Sequence, residues 1–144
     1  MRSDFLNENS SANYGHKKKT HYIKESVTLT NADSGKVFML DAAGAAVSIT
    51  LPTTSTGEDG VYYKFIVWEE TPSNAVTVAA GSAIVSMVMK DAGGNASNST
   101  VGTQVSNIVI GTSAQRGDVV NMMFFDGEWT AECLSGIDDA VTTS

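Results

Sequence analysis

A chain of 144 residues with a net charge of −7 and 42% apolar residues has the size of one domain and can bury a core without a metal or disulfide to hold it. Its single cysteine, Cys133, excludes an internal disulfide, and no run approaches the ~18 apolar residues that a membrane helix needs. Residues 1–24 carry five basic and two acidic residues, +3, which leaves −10 for the remainder, and so acidic a body argues against general binding to nucleic acid.

The chain opens on a polar stretch, Met1 to Ser11, with no apolar core behind its charges, so it does not read as a secretory signal. A protein made and kept as a soluble one is the expectation. Residues 1–21 are rich in Asn, Ser, Gly and Lys, a composition that cannot repay the entropy of folding alone. They predict an extended arm in which Phe5, Leu6 and Tyr14 are anchors for a partner. Lys17, Lys18 and Lys19 add a basic cluster suited to an acidic surface, so that arm and body touch different things.

From Tyr22 the pattern becomes that of strands, and residues 22–134 read as one β-domain. Val27 and Leu29 alternate with polar residues before a turn at Asn31 to Gly35. Lys36 to Leu40 is an apolar strand, and Val47, Ile49 and Leu51 alternate with Ser48 and Thr50 until Pro52, which cannot donate to a ladder. The Gly-centred turn between these two strands predicts a hairpin. Val61 to Glu69 is the most aromatic strand: Tyr63, Phe65 and Val67 share one face, Tyr62, Lys64, Ile66 and Trp68 the other. With both faces largely apolar, it reads as a central strand.

Two short strands are expected at Ala75 to Ala79 and Ala83 to Met89, around Gly81, and a low-complexity loop over Asp91 to Thr103 forms the predicted exposed tip. Asn107 to Ile110, Asp118 to Phe125 and Glu128 to Leu134 complete the strands, the last two joined by Asp126-Gly127, a strong hairpin signal. Residues 135–144 read as a polar acidic tail. Eight to nine short strands without a helical period predict an antiparallel β-sandwich or jelly-roll-like barrel carrying an N-terminal arm.

No residue pattern in this chain is laid out for catalysis. Gly81-Ser82-Ala83 lacks the flanks of a nucleophile elbow, and both histidines, His16 and His21, lie in the basic arm, where neighbouring lysines disfavour a metal. The carboxylate pairs Glu58/Asp59, Glu69/Glu70 and Asp138/Asp139 are adjacent in sequence, so on strands they point to opposite faces and read as solvated turn residues. Tyr62, Tyr63, Trp68 and Trp129 read as core ahead of a sugar platform, Cys133 as a small buried apolar residue, and the strand methionines as adaptable packing. No enzyme activity, cofactor or metal is expected.

Asp33-Ser34-Gly35-Lys36-Val37-Phe38, the Ala42 to Ala46 turn, Ile49-Thr50-Leu51-Pro52, Gly117-Asp118 and Asp126-Gly127-Glu128-Trp129 resemble the wording of small β-rich virion proteins of tailed bacteriophages, the head decoration or cement proteins. The resemblance runs over roughly residues 25–134 and consists of turn and strand motifs. It implies a protein on the outer capsid surface that braces contacts between major capsid subunits, with the major capsid protein as partner and a homo-oligomer, a trimer at local three-fold positions, as the assembly. Neither nucleic acid nor membrane is an expected partner. A head-fibre or tail-fibre domain that binds the host surface and a carbohydrate-binding module are the alternatives.

Overall fold

The computed structural model describes residues 18, 20–53, 58–90 (81–90 as backbone) and 105–144. The predicted loop tip and almost all of the predicted arm lie outside them. Ten strands are found among the described residues: β1 (Thr20–Ile23), β2 (Val27–Thr28), β3 (Val37–Leu40), β4 (Val47–Thr50), β5 (Tyr62–Val67), β6 (Val76–Lys90), β7 (Val105–Ile110), β8 (Val119–Phe125), β9 (Glu128–Leu134) and β10 (Val141–Thr143). A single turn of 3-10 helix, Asn31–Asp33, is the one helical segment described. The fold is all-β, two sheets packed face to face, as the strand count predicts.

The pairing is mixed where an antiparallel sandwich is expected. β1, β3 and β5 stack in parallel in the first layer, and β2, β4 and the start of β6 stack in parallel in the second. Each coil therefore crosses from one layer to the other and returns one strand spacing further along, in the manner of a short β-solenoid. The antiparallel pairs are confined to the far side, where β8 pairs β5 and β9, and β7 pairs β6 and β10.

β3 and β4 are both strands, but they do not form the predicted hairpin. Their connection, residues 41–46, is longer than a tight turn and arches between layers. Ala42 is buried inside this arch, and the Asn74 side chain in the next arch donates to its carbonyl at 2.8 Å, so successive arches stack as the strands do. The Asp126-Gly127 turn is the hairpin that its sequence predicts: β8 and β9 pair antiparallel across it, with φ of 52° and 79° at the two residues, the left-handed pair that a two-residue turn of matching twist requires.

β6 runs unbroken where two strands are expected. It pairs with β4 and β7 over its first residues and with β9 over its last, with register shifts between Ala79 and Ser86. Such irregularities bend a strand and raise its twist, and here they carry β6 from the second layer to the first. Residues 135–144 also depart from the expected tail, since Ala140 and Val141 are buried and β10 lies along β7. Two β-branched apolar residues, Ile137 and Val141, are enough in a polar segment when a ready edge lies beside it.

The core is built from inward rows. Phe38 stacks on its register partner Phe65 at 5.6 Å and 24°, Leu40 faces Val67, and Val47 and Ile49 face Val76 and Val78. Tyr63 and Phe124 close on Trp129 at 5.6 and 5.2 Å. Trp129 donates its indole N–H to the Pro52 carbonyl at 3.2 Å, and Tyr63 its hydroxyl to the Thr30 carbonyl at 2.8 Å, so the polar end of each ring is satisfied. Phe65 and Trp129, predicted to be core, are fully buried. Phe65→Ala is expected to cost ~3–5 kcal/mol of stability in chemical denaturation, because the stacked neighbours cannot collapse into the space; an unchanged midpoint would show that the row is not what holds the layers.

Candidate interaction surface

Alternation along each strand of the first layer sends every second side chain outward, and in-register pairing aligns these residues across strands. Tyr22, Met39, Ile66, Val119 and Leu134 are consecutive register partners on β1, β3, β5, β8 and β9. They form an apolar row that spans about 19 Å at the usual strand spacing. Tyr22 is 52% and Leu134 43% exposed at its two ends. A row with three polar members lies beside it, Lys64, Asn121 and Glu132 next to Val37, in which the Asn121 amide donates to Glu132 at 3.3 Å. Tyr62, Met123 and Thr130 form the next row and share a shallow depression with Asn121 and Glu132, with Phe125 61% exposed further along β8.

One end of the apolar row is fixed by aromatic contacts. Tyr22 meets Trp68 edge to face at 5.4 Å, and the Arg116 guanidinium lies 4.8 Å over the Trp68 ring while its Nε donates to the Trp68 carbonyl at 2.7 Å. The Trp68 face is thus taken by a cation, which argues against a bare stacking platform for sugar. Of the four aromatics read as core, Tyr63 and Trp129 are buried, Tyr62 is half-buried and Trp68 is 38% exposed.

The predicted contact residues Phe5, Leu6, Tyr14, Lys17 and Lys19 lie outside the described residues, as does His16. Lys18 is placed: its ammonium donates to the Tyr62 hydroxyl and lies 5.2 Å from the centre of that ring. The Lys18 side chain therefore lies on the outward face of the first layer. Several of the described carboxylates serve local structure. Asp118 is buried and accepts from the Gln115 and Gly136 amides and the Ser135 hydroxyl, tying two turns together. Asp59 accepts from the Asp126 amide at 2.8 Å beside the β8–β9 hairpin, and Glu69 from the Ser73 amide.

The two large pKa shifts belong to the interior. Burial pushes the Cys133 thiol up to about 12, with Glu132 adding to it, so the thiol is a packed group held away from its reactive thiolate form. Burial also pushes Tyr63 up to about 12, with Asp33 contributing. Met39, Val119 and Leu134 were not singled out from the sequence as surface residues, because only the register places them in one row with Tyr22. Comparison with known protein families and with curated proteins gave no match to this chain.

Asp33 closes the 3-10 turn. The bonded Lys36 ammonium holds its carboxyl below the usual range, helped by the Thr30 amide and hydroxyl, each at 2.9 Å, against a smaller opposing effect of burial. A pKa lower in the folded than in the unfolded state stabilises the fold above the unfolded value, near 3.9, and this contribution is lost as pH falls through the folded value. Urea unfolding between pH 5 and pH 2 is therefore expected to show a steeper acid loss of stability for the wild type than for Asp33→Asn; parallel curves would remove this group from the acid response.

Proposed function

We propose that this protein is a structural component of a tailed-phage virion, a head decoration protein that sits on the outer surface of the assembled capsid and braces neighbouring major capsid subunits. The observation that carries this reading is the apolar row on the outward face of the first layer, Tyr22, Met39, Ile66, Val119 and Leu134. Its ends are open to solvent although the core behind it is complete. An ordered apolar strip bordered by polar residues is the makeup of a protein contact, with a dry centre and a wet rim. The turn and strand motifs that resemble the decoration proteins lie in the same domain, and supply the class of partner.

Lys18 supports the same side of the molecule as the contact side, since it rests on Tyr62 in the row beyond Lys64. Lys17 and Lys19 would then meet the acidic partner surface that a basic arm suits. Many copies in a trimeric arrangement act by mass action: a protein that binds only where subunits adjoin favours the closed shell even when each contact is modest.

Leu134→Glu and Met123→Glu are expected to leave domain stability within about 0.5 kcal/mol, as exposed substitutions do, and to deplete the protein from purified particles. Particles lacking it are expected to release DNA at lower temperature while adsorbing normally to cells. Unchanged release together with lost adsorption would replace this reading by a fibre domain that binds the host.

A further inference from the structure

The stack of coils is covered on one side by β7 and β8 but stops on the other at β1 and β2, beyond which no strand is found among the described residues. Two core rows are left open there. His21 is exposed although it continues the buried row of Phe38 and Phe65, and Val27 is 36% exposed although its register partners Ile49 and Val78 are fully buried. A concavity of 520 Å³ lies between the two strands, bordered by His21, Ile23, Val27, Leu29 and Phe38. The Ile23 carbonyl accepts from the Asp41 amide at 2.9 Å, so the polar groups of Ile23 and His21 face β3. Alternation turns those of Thr20 and Tyr22 onto the outer edge, which no described strand meets. Between Thr20 and Ile23 there is no proline, lysine, carboxylate or bulge of the kind that guards an edge against pairing.

We propose that this edge pairs with the same edge of a second copy of the chain, β1 antiparallel to β1 about a two-fold axis at Tyr22. A strand that closes this end must place an apolar residue outward at the level of Tyr22, to prolong the row through Met39, Ile66, Val119 and Leu134, and another inward beside His21. β1 meets both demands itself. With Tyr22 opposite Tyr22 of the second copy, the two residues exchange both of their outward main-chain hydrogen bonds. Ile23 then falls opposite His21 on the inward side, and Lys24 opposite Thr20 on the outward side. The outward apolar row runs without a break into that of the second copy, at twice its length, with an aromatic cross-strand pair at its centre.

Charge and symmetry agree. Two copies of a chain with net charge −7 repel at long range, yet residues 20–23 and 26–29 contain no lysine, arginine or carboxylate, so the meeting edges bring no like charges together. β1 and β2 are the two edges of one coil, and an axis normal to the layers turns both toward their counterparts, which covers Val27 as well as His21. A two-fold contact is also used up by two copies, so the open edge does not run on into a fibre. The pairing is independent of the capsid reading, since it takes the edge of the first layer and leaves its outward face to another partner. Where copies are also grouped in trimers, it links one trimer to the next.

The test is sedimentation velocity of the full chain, free of capsid, together with disulfide trapping under mild oxidation. The wild type is expected to self-associate as its concentration rises, and to form no disulfide, because Cys133 is buried. Tyr22→Cys is expected to give a linked dimer, since directly opposed Cα atoms of such a pair lie ~5.5 Å apart, within reach of a disulfide. Thr20→Cys and Lys24→Cys are expected to link in the double variant and not singly. Tyr22→Pro removes an outward amide and leaves the bonds to β3 in place, and is expected to raise the dissociation constant at least about tenfold; the trapping variants, altered at exposed positions, carry the test if it does not fold. A wild type that stays monomeric into the millimolar range would overturn the proposal. So would an oligomer in which Tyr22→Cys does not link, or linkage of Tyr22→Cys without that of the Thr20→Cys, Lys24→Cys pair.

Discussion

Parallel stacking in register is the constraint on which the rest of this molecule depends. It places each inward residue directly against its counterpart in the next coil, so every row must be apolar throughout and matched in size from one strand to the next. Phe38 on Phe65 and Ile49 beside Val78 satisfy this, and the aromatic contacts add about 0.5–1.5 kcal/mol each to what burial alone gives. The arches follow from the same demand: once β3 and β5 are aligned, residues 41–46 and 68–75 must turn at the same level, and Asn74 joins the two. The final strands then turn antiparallel and cover the last coil on one side.

The outward surface is a product of the same alignment. A register that superposes Phe38 and Phe65 inside necessarily superposes Met39 and Ile66 outside. Behind that face Asp59 and Asp118 hold turns, and the Cys133 thiol is packed in the core. Such a surface has the makeup of a proposed contact, apolar at the centre with Lys64, Asn121 and Glu132 alongside.

Strand positions were legible because period-2 alternation is a local property: β5, β8 and β9 fall where Tyr63, Phe65, Val120, Met122 and Trp129 put them. The β8–β9 turn was legible for a similar reason, since Asp126-Gly127 is chemistry confined to two residues. Pairing is not local. Nothing within Lys36 to Leu51 states whether β3 and β4 will lie side by side or in opposite layers, as each has an inward face that either arrangement would bury. Gly81 read as an interruption because a small residue weakens a strand, yet β6 continues through it and uses the irregular stretch to change layers. Val141 found its place only because the edge of β7 was available, and the apolar row became visible only when five strands from distant parts of the sequence were set side by side.

β6 belongs to both sheets at once, and this has a mechanical consequence. A sandwich whose layers are joined only by loops can part along its core, each sheet retaining its own hydrogen bonds. Here the path from β1 through β9 to β6 and on to β2 is a single ladder, so separating the layers means tearing a strand away from β9 or from β4. Load applied to one face is carried through main-chain hydrogen bonds into the other, and the domain yields as one unit, with no sheet free to peel away first.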